Sequence, residues 1–325
     1  MGLLLNTLSP AVLYEEMAKS TYFVDKTAFI GQMLQRIGTN GKYVCITRPR
    51  RFGKTVMANM LGAFLTKSAA TAKLFAQLKI GRDAEAMQHI NQYNVIYIDF
   101  SRISSNDYQS YIDNIADALK KDLHKAYPDV DYRAAATGER FIFIFDEWDA
   151  IFHAAFISED DRKKYLLFLK DLLKDRVYVQ LAYMTGVLPI SKYTSGSELN
   201  TFAEYNMATM SLYSDVFGFN DAEVDALFAK YQALTAQPQV TREGLKIWYD
   251  GYHTAAGNLL YNPRSVVMAL QNNQLYNYWT SSGPYDELFY YIRNNVTAVR
   301  DDLALMAAGE RIPLKIQEYA AMLLE

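Results

Sequence analysis

The chain has few of the residues that build covalent or metal-bound scaffolds. Its 325 residues include one cysteine and four histidines. A lone cysteine cannot close a disulfide within the chain, and Cys45 lies in an apolar segment, which indicates a reduced core residue. The histidines are scattered without the spacing of zinc ligands. The sequence therefore predicts neither a disulfide framework nor a zinc site.

Long apolar runs and a strong net charge are also missing. No run approaches the length of about 20 residues that a membrane helix needs. The first residues lack the basic region of a signal peptide, and Asn6 breaks the myristoylation pattern. We therefore expect a cytoplasmic protein without a membrane partner. The net charge of −3 argues against a surface that coats nucleic acid, although local basic patches leave that partner open.

A strand, a basic loop and a helix follow one another between Lys42 and Leu61. The helix is predicted to begin at Gly53-Lys54-Thr55, where unpaired amides and the positive dipole end would meet a phosphate. In such a P-loop the lysine reaches the β- and γ-phosphates of ATP, and the threonine hydroxyl ligates Mg²⁺. The predicted nucleotide-binding residues are Arg48, Pro49, Arg50, Arg51, Phe52, Gly53, Lys54, Thr55 and Val56.

The loop departs from the usual pattern G-x-x-x-x-G-K-[ST] at its first position. Arg48 stands where a glycine normally supplies backbone freedom at the start of the turn. Pro49 makes the loop stiffer, and the neighbouring arginines make it strongly positive. The alternative for this segment is a basic turn between a strand and a helix.

A second segment, Phe141–Asp149, is an apolar run that ends in carboxylates. Bulky apolar residues without alternation favour a strand buried on both faces, and open α/β sheets bind ligands at the carboxyl ends of such strands. Asp146 is predicted to hold Mg²⁺, and Glu147 to activate the attacking water as a general base. The alternative is that Asp146, Glu147 and Asp149 begin a solvated loop or cap the next helix.

The order of the elements indicates the class of P-loop protein. A strand at Val95–Phe100 precedes Phe141–Asp149, and a further strand at Val177–Gly186 follows it. This order and the Asp-Glu pair indicate the additional-strand, AAA-like type of P-loop NTPase, an α/β fold with a mainly parallel sheet and helices on both faces. Val177–Gly186 would insert beside the P-loop strand, with Thr185 as a sensor of the γ-phosphate or as the start of a glycine turn. A fifth strand is expected near Asn206–Leu212, and helices near residues 108–126 and 159–174.

The chain beyond Ser214 is predicted to be an all-helical lid. A helix capped by Asn220 is followed by one at Arg242–Tyr249, and Pro263 occupies a favoured first-turn position in the next. The predicted domains are a P-loop ATPase domain, residues 1–214, and the lid, residues 215–325, whose final part from 301 is helical in composition. Arg264 either reaches the γ-phosphate as a sensor arginine or pairs with a surface acid.

Short phrases in a fixed order and spacing cover nearly the whole chain. They are Tyr22–Thr27, Thr47–Thr55, Phe145–Asp149, Thr185–Gly186, Phe217–Phe219, Trp248–Tyr252 and Tyr261–Ser265. Together they resemble the AAA-ATPase-like proteins of bacteria and archaea, a group of predicted P-loop ATPases. The resemblance implies ATP binding and hydrolysis, and it implies that a loop without the first glycine is the family's own version. Many members continue into a restriction-endonuclease-like nuclease domain, and we expect none within these 325 residues.

Two functions from different classes follow from these patterns. The first is a Mg²⁺-dependent ATPase in which Lys54 and the loop amides neutralise phosphate charge, Thr55 and Asp146 hold the metal, and Glu147 activates water. The second is a slow or non-hydrolysing ATP-gated switch whose lid signals to a protein partner or to another copy of the chain. The Asp146-Glu147 pair disfavours a P-loop kinase.

The stretch just before the first sheet strand has two interpretations. Asp25 and Lys26 could contact the adenine or the ribose, because this part of a P-loop protein often wraps that end of the nucleotide. A helix cap and a surface charge pair explain the same residues. We favour the structural role for Thr27, and Asp25 is left open.

Overall fold

The computed structural model describes residues 2–128, 138–187, 189–190, 199–207 and 210–278. The chain divides into two compact units, Met1–Leu275 and Tyr276–Glu325. Of the second unit only residues 276–278 are described, so the predicted helical stretch from residue 301 lies outside the described residues. Ser214 lies within the first unit. The predicted division into an ATPase domain and a lid stays a prediction.

The first unit is built on a parallel sheet of five strands. These strands are β1 Tyr43–Thr47, β2 Asn94–Asp99, β3 Phe141–Asp146, β4 Val179–Gly186 and β5 Ala203–Asn206. Their order is β2-β3-β4-β1-β5, and every pair is parallel. The strand after β3 therefore lies beside the P-loop strand β1, as the sequence predicts. The fold is an α/β P-loop NTPase fold of the additional-strand type.

Successive residues of a strand point to opposite sides of the sheet. Both sides carry apolar residues here, and helices cover both of them. Val44 and Ile46 face one apolar core, and Tyr43 and Cys45 face the other. The first core also contains buried residues of α1 Ser9–Ala18, α2 Ala28–Leu34, α3 Lys54–Leu65, α4 Ala72–Ala76 and α5 Ala84–Met87. The second contains those of α6 Tyr108–Ala126 and α7 Glu159–Leu173. Short 3₁₀ helices lie at Lys79–Arg82, Phe100–Arg102 and Ala150–His153.

The predicted fifth strand is placed too late in the chain. The structure pairs Val44–Thr47 of β1 with Ala203–Asn206, so β5 ends where the predicted strand begins. Met210 and Leu212, which lie within the predicted strand, are exposed rather than buried in the sheet. The burial of Tyr205 in the first core explains the observed position.

The post-sheet segment, residues 215–275, corrects the expectation of an all-helical region. Its helices are α8 Asp221–Leu234, α9 Arg242–Tyr249 and α10 Pro263–Asn272, capped by the side chains of Asn220, Thr241 and Asn262. Between α9 and α10 lies an antiparallel hairpin of β6 Asp250–His253 and β7 Leu259–Tyr261. A positive φ at Gly257 permits the turn between the strands, and one at Gly251 accompanies the irregular register between Asp250 and Tyr252. No helix in the described ranges has both the length and the apolar character to cross a bilayer.

Candidate nucleotide-binding site

The loop between β1 and α3 has the backbone of a phosphate-binding turn. Gly53 is the N-cap of α3 with φ 85°, in the left-handed region that favours glycine. Arg51 also has a positive φ, 70°, which is uncommon for a residue with a side chain. No side chain caps the N-terminus of α3. The first-turn amides of this helix are thus left to an anionic ligand or to water.

Lys54 is the first residue of α3, and its ammonium group is held inside the loop. Its Nζ donates hydrogen bonds to the carbonyl oxygens of Arg48, at 2.9 Å, and Pro49, at 3.0 Å. Burial lowers the pKa of Lys54 to about 8, while the charges of Asp149, Glu147 and Asp146 favour the charged form. The ammonium group therefore lies close to the acidic end of β3.

Asp146 and Thr185 meet at the carboxyl ends of neighbouring strands. The Thr185 hydroxyl on β4 donates a short hydrogen bond to Oδ1 of Asp146 on β3. Asp146 is only 1% exposed. Burial raises its pKa to about 6, and hydrogen bonding by the hydroxyls of Thr185 and Thr55 opposes that shift. The structure therefore brings three predicted site residues together around one buried carboxyl group.

Glu147 follows β3 in a strained backbone conformation. Its φ is 50°, a left-handed value that costs a residue with a side chain roughly 1–2 kcal/mol. Its backbone amide donates to the Thr185 hydroxyl at 3.2 Å, and the next amide, that of Trp148, donates to the Thr185 carbonyl at 3.0 Å. Thr185 thus fixes the turn that carries the predicted base. Strain of this kind is concentrated at functional sites.

The residues present fit a magnesium ion. Within the described residues no group of three or more His, Cys, Asp or Glu side chains could hold a metal. Magnesium does not require one, because it binds through one or two carboxylates together with phosphate oxygens and water. Oδ2 of Asp146 is a buried oxygen with no hydrogen-bond partner, and the Thr55 hydroxyl acts on the same carboxyl group. Such hard oxygen ligands suit this ion.

Arg48 is a correction to the predicted set of nucleotide ligands. Its guanidinium is 1% exposed and donates to the carbonyl oxygens of Thr47, Tyr205 and Tyr213 at 2.6–2.8 Å. It also lies 5.0 Å from the ring of Phe217, and burial lowers its pKa to about 10. The carbonyl oxygens of β5 and of the chain after it accept the hydrogen bonds of the guanidinium. The Arg48 side chain therefore anchors the loop and does not face a phosphate.

The loop after Arg48 contacts the post-sheet segment. Phe52 is buried, and its ring is 4.6 Å from that of Tyr252 on the hairpin. Asn262, the cap of α10, donates to the Arg50 carbonyl at 3.5 Å. Burial, together with the charges of Arg264 and Arg50, lowers the pKa of Arg51. The structure therefore places Arg264 near the loop, as the sensor hypothesis requires, in a cluster of positive charge.

Two acidic residues of this region were given no site role by sequence reasoning. Asp99 ends β2 in register with Asp146, and its charge contributes to the raised pKa of Asp146. Asp149 is 2% exposed and accepts a hydrogen bond from the Val187 amide at 2.9 Å. Its charge opposes the lowering of the Lys54 pKa by burial. Its burial excludes the solvated-loop alternative. Asp99 closes an apolar strand as Asp146 does, but only the register of the two strands shows that the two carboxylates are neighbours.

The residues before β1 are explained by local structure. Asp25 accepts hydrogen bonds from the amide and hydroxyl of Thr27 and from the amide of Lys79. Lys26 forms an ion pair with Glu223 of α8 at 2.6 Å. Both side chains are therefore committed to contacts within the protein, which favours the structural interpretation over contact with adenine or ribose.

The sheet order, the helix that follows β1 and the acidic end of β3 define a P-loop protein of the AAA-like class. A family model described as a predicted AAA-ATPase matches residues 13–194, which is more than half of the chain. The chain belongs to the predicted AAA-ATPase family.

Individual relatives add less detail. The chain is 27% identical over 279 residues to an uncharacterized protein in the vnfD 5′ region of Azotobacter chroococcum mcd 1. That match covers 81% of this chain and 51% of the relative, so the chain spans about half of the relative's length.

Two solved structures resemble the chain at low identity. The ORC2 protein of Aeropyrum pernix, solved in ADPNP and ADP complexes, has a TM-score of 0.35 at 12% identity, covering 82% of this chain and 62% of its own. Cdc6p of Pyrobaculum aerophilum has a TM-score of 0.39 at 13% identity, covering 81% and 67%. Likenesses at this level carry no information about activity or partners.

Proposed function

We propose that the protein is a Mg²⁺-dependent ATPase with its site at the carboxyl ends of β1, β3 and β4. The observation that carries the proposal is that Thr185 binds both the Asp146 carboxyl and the Glu147 amide, while the charges of these two acids act on Lys54 at the start of a helix without a side-chain cap. Family membership supports the same class of function. A cytoplasmic location and protein or nucleic-acid partners stay predictions.

Each residue has one role in the proposed reaction. The amides of α3 and the Lys54 ammonium bind the β- and γ-phosphates, and Lys54 exchanges its bonds to loop carbonyls for phosphate oxygens. Thr55 and Asp146 hold Mg²⁺, which neutralises charge on the phosphates when it is bound. Glu147 accepts a proton from the water that attacks the γ-phosphorus, while the bond to the β–γ bridging oxygen breaks and ADP takes the electron pair.

The positions of Thr185 and Arg264 support auxiliary roles. Thr185 holds the carboxyl of Asp146 and the amide of Glu147 through one hydroxyl group. A γ-phosphate close to that hydroxyl would be sensed through the same hydrogen bonds. Arg264 begins α10 near Arg51, where its charge would favour a bound triphosphate.

A nucleotide-gated switch is the second candidate. It is favoured by the contacts that join the loop to the post-sheet segment, namely the Phe52–Tyr252 ring pair and the bond from Asn262 to the Arg50 carbonyl. A nucleotide that moves the loop would change these contacts, and a partner could detect the change. Slow turnover with tight binding would distinguish this function from an active ATPase.

Phosphate release tests the choice between the two. Wild type and Glu147→Gln are compared with Mg²⁺-ATP, with ATP binding measured on both, because glutamine keeps the shape and loses the base. We expect turnover to fall by about 10²-fold or more while binding remains. The exposed Glu85→Gln variant is the matched control. Equal turnover in wild type and Glu147→Gln would refute the assigned base, and binding without turnover in wild type would favour the switch.

A further inference from the structure

A cavity of about 380 Å³ opens beside the first turns of α3. One wall consists of Thr55, Val56 and Asn59, and α1 forms the opposite wall. Arg102 also lines this space. The cavity therefore joins a guanidinium group to the threonine that is proposed to hold the metal.

Arg102 forms an ion pair with Asp99, which lies beside the predicted metal ligand Asp146. It ends the 3₁₀ helix that follows β2, and its Nε lies 2.8 Å from Oδ2 of Asp99. Asp99 in turn is in register with Asp146 on the adjacent strand. The Arg102 side chain is 64% exposed and that of Asp99 is 13% exposed. An ion pair with so exposed a partner contributes little to stability and is easily exchanged for a stronger anion.

The other arginines of the site are not among the residues that line this cavity. Arg48 is buried and bonded to backbone carbonyls. The charges of Arg50 and Arg264 lower the pKa of Arg51, and the Arg50 carbonyl accepts a hydrogen bond from Asn262 of the post-sheet segment. Arg102 is thus the guanidinium that shares open space with Thr55 on the metal side.

We propose that Arg102 exchanges Asp99 for the γ-phosphoryl oxygens of bound ATP and stabilises the charge of the transferring group. The proposal rests on the ATPase function proposed above. In the step, the water oxygen bonds to the γ-phosphorus, its proton passes to Glu147, and ADP departs with the electrons of the broken bridging bond. Once it has left Asp99, Arg102 donates N–H hydrogen bonds to the γ-phosphoryl oxygens throughout the step, and neither its charge nor its covalent bonds change. Arginines in this role are worth about 10³–10⁵ in kcat in known phosphoryl-transfer enzymes.

The test separates transition-state binding from nucleotide binding. Affinities for ADP and for ADP with aluminium fluoride, each with Mg²⁺, are measured on wild type, Arg102→Ala and Arg102→Lys, together with kcat. Arg82→Ala is the matched control, since Arg82 is exposed and also ends a 3₁₀ helix. We expect Arg102→Ala to keep ADP affinity, to bind the aluminium fluoride complex at least about tenfold more weakly, and to lose about 10³-fold in kcat.

Other results would overturn the proposal in distinguishable ways. Arg102→Ala with wild-type affinity for the aluminium fluoride complex and wild-type kcat would refute the role of Arg102 alone. Equal loss of ADP and aluminium fluoride affinity would assign Arg102 to ground-state binding or folding, which also refutes it. A wild type that binds neither ligand would refute the proposed function itself. Arg102→Lys keeps the charge without the planar fork, so an intermediate affinity supports the guanidinium role.

Discussion

Replacing Arg48 by glycine would make the loop match the general P-loop pattern, yet we expect it to destabilise the protein. The guanidinium is buried and donates three hydrogen bonds to backbone carbonyls of Thr47, Tyr205 and Tyr213. Glycine would leave these acceptors without a donor and open a cavity against Phe217. The expected outcome of Arg48→Gly is therefore opposite to that of a consensus substitution.

The magnitude follows from two opposing quantities. Three hydrogen bonds from a charged donor contribute roughly 5–9 kcal/mol, at about 1.5–3 kcal/mol each. The desolvation of Arg48, which lowers its pKa from 12.5 to about 10, offsets roughly 3 kcal/mol at 1.36 kcal/mol per pKa unit. The difference is a loss of about 2–6 kcal/mol in the free energy of unfolding, and the cavity adds to it.

Urea denaturation of wild type, Arg48→Gly and Arg51→Gly measures this difference. Arg51 is the matched control because its φ of 70° suits glycine, so its replacement should change the free energy of unfolding by less than about 1 kcal/mol. The reasoning about Arg48 would be refuted if Arg48→Gly were as stable as wild type.

Two further predictions concern the acidic end of the sheet. Gly186→Ala should lower the free energy of unfolding by about 1–3 kcal/mol, because a Cβ there would lie 2.6 Å from the Trp148 indole nitrogen. Thermal melts measure the change. Gly31→Ala is the control, because a Cβ at Gly31 would have one neighbouring atom within 4 Å, at 3.8 Å. The pKa of Asp146 in the folded protein is about 6, above its ordinary 3.8, so the folded state holds the proton more tightly than the unfolded state does. The stability that this proton contributes is fully present below about pH 4 and is lost as the pH rises through 6. Relative to Asp146→Asn, nucleotide-free wild type should lose about 3 kcal/mol across that range, and a pH-independent difference in urea titrations would contradict this.

The features predicted correctly from sequence are those that depend on neighbouring residues. The run that ends at Asp146 is apolar on both faces, and the helix after Gly53 begins at its glycine, so strand, loop and helix could be placed without knowledge of the rest of the chain. The same holds for α6, whose predicted and observed ends agree. Only the pattern of a few consecutive residues was needed.

The features that were missed depend on contacts between distant parts of the chain. Arg48 was assigned to phosphate because nothing in the loop shows that Tyr205 and Tyr213 will place carbonyl oxygens around its guanidinium. Asp99 acquired a role only through the register of β2 against β3. The hairpin at β6 and β7 was hidden because the pairing of Phe219 with Tyr261 helps to hold it.

The most direct test of the central claim, that the loop after β1 binds the phosphates of a nucleotide, is the affinity for Mg²⁺-ATP of wild type beside Lys54→Ala. Lys73→Ala, at an exposed position of α4, is the control. We predict binding by wild type and the control, and its loss in Lys54→Ala with folding preserved, because the buried ammonium is the charge proposed to contact the β- and γ-phosphates. Equal affinity in wild type and Lys54→Ala would contradict the account.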